Sequence, residues 1–351
     1  MKRLIHIVSS LNVGGAEKFV KNLSIEQLAQ GQKVEIISFG KQSDVFQPSL
    51  THAGINITNL AEGLFTRLKQ LIYIFKNVDI IHIHSPAVIR AILPIFPVLL
   101  YKKVIYTIHG EVDPPQSLIK LSHQVSLLYL NRILAVSQSA KESVERRYGW
   151  NSSRVGVIKN GVNVVSKLEK PEDNSKIRLG IVSRLIPLKN IPLLFEAIAL
   201  LPSFVSQNIT LHIFGDGPSF KEINEKSQQL PHAVEVDFYG NVVEESNIYT
   251  KFDILVMCSN TEGLPMSILE AMGYGIPIIS TDVGAISQVV IDQQTGWLYP
   301  AKNVNALVDI LNNVISKPES ILVNGKRAKN FIDEHYAISI VSEDYQRIYE
   351  A

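Results

Sequence analysis

Short apolar runs of strand length recur along the chain, each followed by a longer segment whose apolar residues return every three or four positions. In the first half the runs lie at 3–8, 34–39, 79–84, 104–109 and 132–137. Between them, 16–30 reads as a helix ended by Gly31 and 118–130 as another, while 63–76 puts Leu64, Leu68, Leu71, Ile72 and Phe75 on one helical face. Around 160–176 the texture changes: "NGVNVVSKLEKPEDNSK" is polar, charged and broken by proline, as interdomain linkers are. The alternation then restarts, with runs at 177–183, 210–214, 234–239, 253–258 and 276–281. Strands that are apolar throughout and alternate with helices belong to parallel sheets covered on both faces. The pattern predicts an α/β chain of two doubly wound units, 1–165 and 176–333. A helical tail, 334–351, is expected to return to the first unit.

Composition narrows the function classes. Of 351 residues, 46% are hydrophobic, enough to fill two cores. Thirty-four basic against thirty-three acidic residues leave a net charge of +1, which gives no electrostatic footing for nucleic acid. A single cysteine excludes an internal disulfide framework and fits a reducing compartment. The run in "MKRLIHIVSSLNVGG" is too short for a signal peptide's apolar core. The longest apolar stretch, "AILPIFPVLLY" at 91–101, carries two prolines and has about half the length of a membrane span. The expected location is the cytoplasm, with peripheral attachment to the inner face of the membrane left open. Segment 63–76, with Arg67, Lys69 and Lys76 beside its apolar face, suits either an interfacial helix or ordinary core packing.

In open α/β sheets ligands gather at the carboxyl ends of strands, so the loops there hold the candidate chemistry. After the first strand, Gly14 and Gly15 open a helix whose N-terminal N–H groups suit an anion or a sugar. The spacing is neither that of a dinucleotide fingerprint nor that of a P-loop. His109 ends the fourth run, before an acidic, Pro-containing loop. His82 and His84 share one side of a strand, but no cysteine or carboxylate lies near them in sequence and the chain has no D-x-D pair. They read as core or interface histidines rather than metal ligands.

In the second unit, Arg184 and Lys189 follow the first strand, and two cations there suit a diphosphate. Glycines recur after later strands, at Gly215, Gly217 and Gly240. "SNTEGLPMSILEAMGYGIP" then places Glu262 in a loop and Glu270 in a short helix opened by Pro265. Glu270 is hemmed by Ile268, Leu269 and Met272, where protein donors look scarce. Sugar hydroxyls would satisfy its carboxylate; the alternative is a cation from elsewhere in the fold.

Together these motifs resemble a bacterial retaining glycosyltransferase of glycosyltransferase family 4. "EGLPMSILE" fits the family's E-x7-E element, "SRLIPLKN" its diphosphate loop and "NVGGAEK" its N-terminal glycine loop, while "TIHG", "KNGV", "GDGP" and "TDVGAISQVV" fall in the family's order. The resemblance implies a GT-B fold, two Rossmann-like domains facing across a cleft, with the acceptor on the first and the nucleotide-sugar donor on the second. It implies that Arg184 and Lys189 hold the diphosphate and stabilise the leaving charge without a metal cofactor, and that Glu270 binds the ribose. Glu262 would contact donor-sugar hydroxyls, helped by backbone groups of Gly263, Leu264 and Pro265. His109 would sit beside the donor sugar, Gly14 and Gly15 would approach it or the phosphates, and Asn241 and Val242 would line the base pocket. Asn160 and Gly215 complete the implied donor set.

The implied reaction moves a hexose or N-acetylhexosamine from a UDP-sugar to a saccharide, lipid-linked, in surface polysaccharide or lipopolysaccharide assembly. Two other readings keep the architecture: a UDP-sugar epimerase or hydrolase, and a non-catalytic nucleotide-sugar-binding scaffold.

Overall fold

The computed structural model describes residues 2–110, 117–165 and 176–351. Two compact units make up the chain: residues up to Gly161 together with Ile338–Ala351, and Val162–Ala337. The acidic loop after His109 and most of the linker expected around 160–176 lie outside the described residues.

The first unit is built on seven parallel strands: β1 (Arg3–Val8), β2 (Lys33–Ser38), β3 (Asn56–Asn59), β4 (Ile80–Ile83), β5 (Lys103–Ile108), β6 (Arg132–Ala135) and β7 (Val155–Val157). Their order is β3-β2-β1-β4-β5-β6-β7. Side chains alternate across the sheet. Ile5, Ile7, Ile81, Ile83 and Tyr106 therefore fill one core, and His6, His82 and Thr107 point to the opposite, equally buried face. Helices Gly15–Ala29 and Ile338–Glu350 meet over that second face, bringing Phe19, Tyr345 and Tyr349 to the histidines. The tail thus belongs to the first unit from Ile338 onward. Gly161 permits its return, because a Cβ there would lie 2.8 Å from Ile338 and 3.0 Å from Val341.

The second unit holds six parallel strands: β8 (Ile177–Val182), β9 (Ile209–Phe214), β10 (Glu235–Gly240), β11 (Ile254–Met257), β12 (Ile278–Thr281) and β13 (Gly296–Tyr299). The order β10-β9-β8-β11-β12-β13 is doubly wound, and the winding reverses between β8 and β11. The unit begins earlier than the texture change suggests, since Val162 N–H donates to Tyr336 O at 2.9 Å.

The strands foreseen from the sequence all form. Those it missed lie at or near sheet edges: "NITN" (β3), "VGV" (β7) and "GWLY" (β13) are short, and their pairing comes from a neighbour rather than from a hydrophobic run. No helix among the described residues is long and apolar enough to cross a membrane. Of the face foreseen at 63–76, Leu71 and Phe75 are buried in helix Leu64–Lys76, whereas Leu64 is exposed beside Phe65.

One packing contact is tight enough to test. Gly180 in β8 lies under Phe252, and a Cβ would meet the ring at 2.2 Å. Gly180→Ala is expected to cost about 1–3 kcal/mol by overpacking, read as a lowered urea midpoint. Adding Phe252→Leu should recover part of that loss; additive losses would contradict the contact.

Candidate active site

The loops that follow β8, β9, β11 and β12 interlock through their main chains at the reversal point of the second sheet. Ser183 N–H donates to Phe214 O at 3.1 Å and Leu185 N–H to Asp216 O at 2.9 Å. Asn260 N–H donates to Leu188 O at 2.9 Å, and Ala285 N–H to Gly263 O at 3.0 Å. Two glycines allow this closeness. Gly215 (φ +124°) would press a Cβ to 1.9 Å from Ser183 O, and Gly284 (φ +62°) to 1.9 Å from Glu262 O. Gly215 N–H is itself bonded to Gly240 O at 2.7 Å. Gly215 thereby seats the loop that carries Arg184.

On this frame Arg184 is exposed, and its side chain has no hydrogen-bond or ion-pair partner among the described residues. Lys189 sits at the end of the single turn Pro187–Lys189, closed by Asn190 in the left-handed region (φ 47°). Its ammonium forms an ion pair with Glu262 Oε1, both side chains being largely buried. Ser259 Oγ donates to the same oxygen at 2.5 Å. No protein group among the described residues bonds Glu262 Oε2. The result is a fixed carboxylate with one open oxygen beside a fixed ammonium, with Arg184 exposed in the same loop as Lys189.

Glu270 lies in helix Met266–Gly273, for which Pro265 is the N-cap rather than the first helical residue. Glu270 is 3% exposed, and Tyr249 OH donates to its Oε2 at 2.5 Å. Donors are thus less scarce than the local sequence suggests, because one arrives from helix Glu245–Tyr249. Burial, and then the adjacent carboxylate, push the Tyr249 phenol well above its usual range, so it stays a donor. Beyond Gly240 (φ +63°), Asn241 is exposed and Val242 is half-buried, packing with Leu264 against the core beneath the helix.

In the first unit, Gly14 is the extended N-cap of helix Gly15–Ala29. The Glu17 carboxylate occupies the space over it, 2.2 Å from where a Cβ would stand. Burial raises the Glu17 pKa, and a carboxyl group there suits hydroxyls better than a phosphate. Asn160 is 2% exposed, and its Oδ1 has no hydrogen-bond partner among the described residues. His109 is half-buried at the end of β5, its Nε2 2.9 Å from His84 Nδ1. His84 in turn meets His6, a residue the sequence reading passed over.

Comparison with known proteins follows the same division. The "Glycosyltransferase Family 4" profile matches residues 13–165, and that of "Glycosyl transferases group 1" matches residues 166–334. The chain belongs to this glycosyltransferase family. A human phosphatidylinositol N-acetylglucosaminyltransferase polypeptide is 27% identical over 369 residues, spanning 97% of this chain and 73% of its own. Lipopolysaccharide 1,6-galactosyltransferase of Salmonella typhimurium is 30% identical over 213 residues, 58% of this chain and 57% of its own. HepE of Anabaena, solved in complex with UDP-glucose, shares the fold with a TM-score of 0.85 at 18% identity, over 100% of both chains. Each domain of this glycosyltransferase therefore has the Rossmann-like form of the GT-B fold.

Two signals in the glycosyltransferase sequence pointed to residues that the motif reading left unassigned. His6 interrupts an apolar strand just as His82 does, and polar residues in fully buried strands need partners. Gly284 in "TDVGAISQVV" is a left-handed glycine whose missing Cβ lets the Glu262 loop pack against it.

Two measurements check this geometry. Tyr249→Phe removes a donor to a buried carboxylate, so unfolding at pH 7 should cost about 1.5–3 kcal/mol less; unchanged stability would contradict the bond. The buried histidines set a pH dependence. Burial lowers the His6 pKa to about 4 and that of His109 to about 3, and drives His82 and His84 well down. The folded state then binds fewer protons than the unfolded chain, whose histidines titrate near 6.5. Stability should be fullest above about 6.5 and fall as pH drops from there towards about 4. A urea midpoint unchanged between pH 7 and pH 5 would contradict neutral, buried rings.

Proposed function

We propose that this glycosyltransferase moves a hexose or N-acetylhexosamine from a UDP-sugar to a lipid-linked saccharide in bacterial surface polysaccharide or lipopolysaccharide assembly, without a metal cofactor and with retention at the anomeric carbon. The observation that carries the reading is the pair of cations after β8. One is free and exposed, the other is anchored beside a carboxylate with an open oxygen. A departing UDP leaves with negative charge on its diphosphate. Arg184 offers a planar fork to it and Lys189 a point charge, work that a divalent cation performs in other transferases. Glu262 Oε2 accepts from a hydroxyl of the donor sugar, and its ion pair keeps Lys189 in register with that sugar. Glu270, oriented by Tyr249, takes the ribose, and main-chain groups at Asn241 and Val242 meet the base.

The names of the relatives support the substrate classes. HepE was solved with UDP-glucose, and the human and Salmonella relatives are named for N-acetylglucosamine and galactose transfer. Their acceptors, by name a phosphatidylinositol and a lipopolysaccharide, favour a lipid-linked one here. Retention then follows from attack on the face that UDP leaves, with the diphosphate taking the acceptor's proton.

The test is donor turnover with extracted bacterial lipid acceptors, followed by UDP release. Arg184→Ala should lower kcat by about 10²–10³, and Glu270→Ala should weaken UDP binding. Normal turnover in a variant lacking both Arg184 and Lys189 would sink the assignment.

A further inference from the structure

A buried polar chain crosses the first unit behind His109. Gln27 Oε1 lies 2.8 Å from His6 Nε2, His6 Nδ1 lies 2.8 Å from His84 Nε2, and His84 Nδ1 lies 2.9 Å from His109 Nε2. A carbonyl oxygen only accepts, so the proton of His6 is on Nε2. A neutral imidazole holds one proton, which makes His6 Nδ1 an acceptor for His84 Nε2–H. By the same step His84 Nδ1 accepts from His109 Nε2–H. His109 Nδ1 is left with a lone pair, and it is buried with no partner among the described residues.

The other end of the same amide polarises a second branch. Gln27 Nε2 faces Tyr349 OH at 3.4 Å, Tyr349 OH lies 2.7 Å from His82 Nδ1, and His82 Nε2 lies 2.8 Å from Thr107 Oγ1. Turning the amide over would reverse every bond in both branches and put a proton on His109 Nδ1. One group therefore decides whether the end of the chain offers a lone pair or an N–H.

We propose that Gln27 is a positioning residue: acting through His6 and His84, it fixes the His109 tautomer so that Nδ1 accepts a hydrogen bond from a hydroxyl of the sugar substrate. This rests on the reading of the chain as a nucleotide-sugar transferase. An orphaned buried acceptor costs about 1–3 kcal/mol, and an arriving hydroxyl removes that cost. The ring nitrogens of His6, His82 and His84 lie within 4.8 Å of one another, which also suits a cation. Hydrogen bonds within the protein already engage these nitrogens, however, and a cation would have to displace the protons that carry the relay.

The test uses full-length protein labelled with ¹⁵N-histidine. Nitrogen shifts report each ring's tautomer, and calorimetry measures UDP alone against UDP-glucose, UDP-galactose and UDP-N-acetylglucosamine. Wild type should show His109 protonated at Nε2. Gln27→Met, which lacks the acceptor, should mix the His109 tautomers and weaken the preferred UDP-sugar by about three- to tenfold, with UDP affinity unchanged. Gln27→Glu, which can only accept, should restore both readings. Three results would overturn the relay: an Nδ1-protonated His109 in wild type, a tautomer unmoved by Gln27→Met, or a stoichiometric transition metal bound to the purified protein. If wild type bound no UDP-sugar, the functional reading would fall, and with it the sugar hydroxyl as the occupant of Nδ1. The tautomers of wild type and variants would still decide whether Gln27 sets the ring.

Discussion

The ion pair between Lys189 and Glu262 is the constraint around which the loops of the second domain's candidate site are arranged. The two residues are 73 positions apart in sequence and meet because β8 and β11 are neighbours at the point where the winding reverses. Each is largely buried, so neither charge is tolerable alone. The pair holds only if the two loops stay in register, and main-chain bonds supply that: Asn260 to Leu188 on one side, Ala285 to Gly263 on the other. Gly215 and Gly284 are the residues whose missing Cβ lets carbonyl groups approach so closely. Several motif glycines thus act at one remove, by fixing the loops that carry charge.

That distinction shows how much was legible beforehand. Apolar runs separated by helices revealed the two sheets, because strands buried on both faces must be apolar wherever they pair. Edge strands such as "NITN" carry no such signature, since one side is solvated and the neighbour supplies the hydrogen bonds. Arg184, Lys189, Glu262 and Glu270 stand out as candidates in the sequence because chemistry concentrates after parallel strands. Their partners do not. Tyr249 reaches Glu270 from a separate helix 21 positions earlier, and nothing in the local pattern separates that phenol from any other core tyrosine. The domain boundary slipped for a related reason: Val162, at the start of the linker, pairs as a bridge with Ala337, a contact that composition does not record.

The first domain solves a different problem with the same alternation. Ile5 and Ile7 of β1 fill an apolar core, while His6 faces helices that bring a glutamine and two tyrosines. A polar layer this deep is tolerable when its members satisfy one another, and a low dielectric then strengthens and orients each bond. The C-terminal helix belongs to this layer: Tyr349 and Tyr345 reach His82 and Thr107 from the far end of the chain. That accounts for the domain's being closed by residues after Ile338 rather than by the segment preceding the linker.

The two domains therefore prepare opposite electrostatic surfaces from one architecture. In the second, Arg184 is exposed to solvent and Lys189 is paired with the Glu262 carboxylate. In the first, burial strips the charge from four histidines and leaves only the direction of their hydrogen bonds. A neutral hydroxyl is poorly discriminated by charge and well discriminated by direction, so a proton-ordered chain is the better instrument for a sugar. Charged loops in one domain and a neutral, hydrogen-bonded chain in the other are thus two uses of the same strand-end geometry.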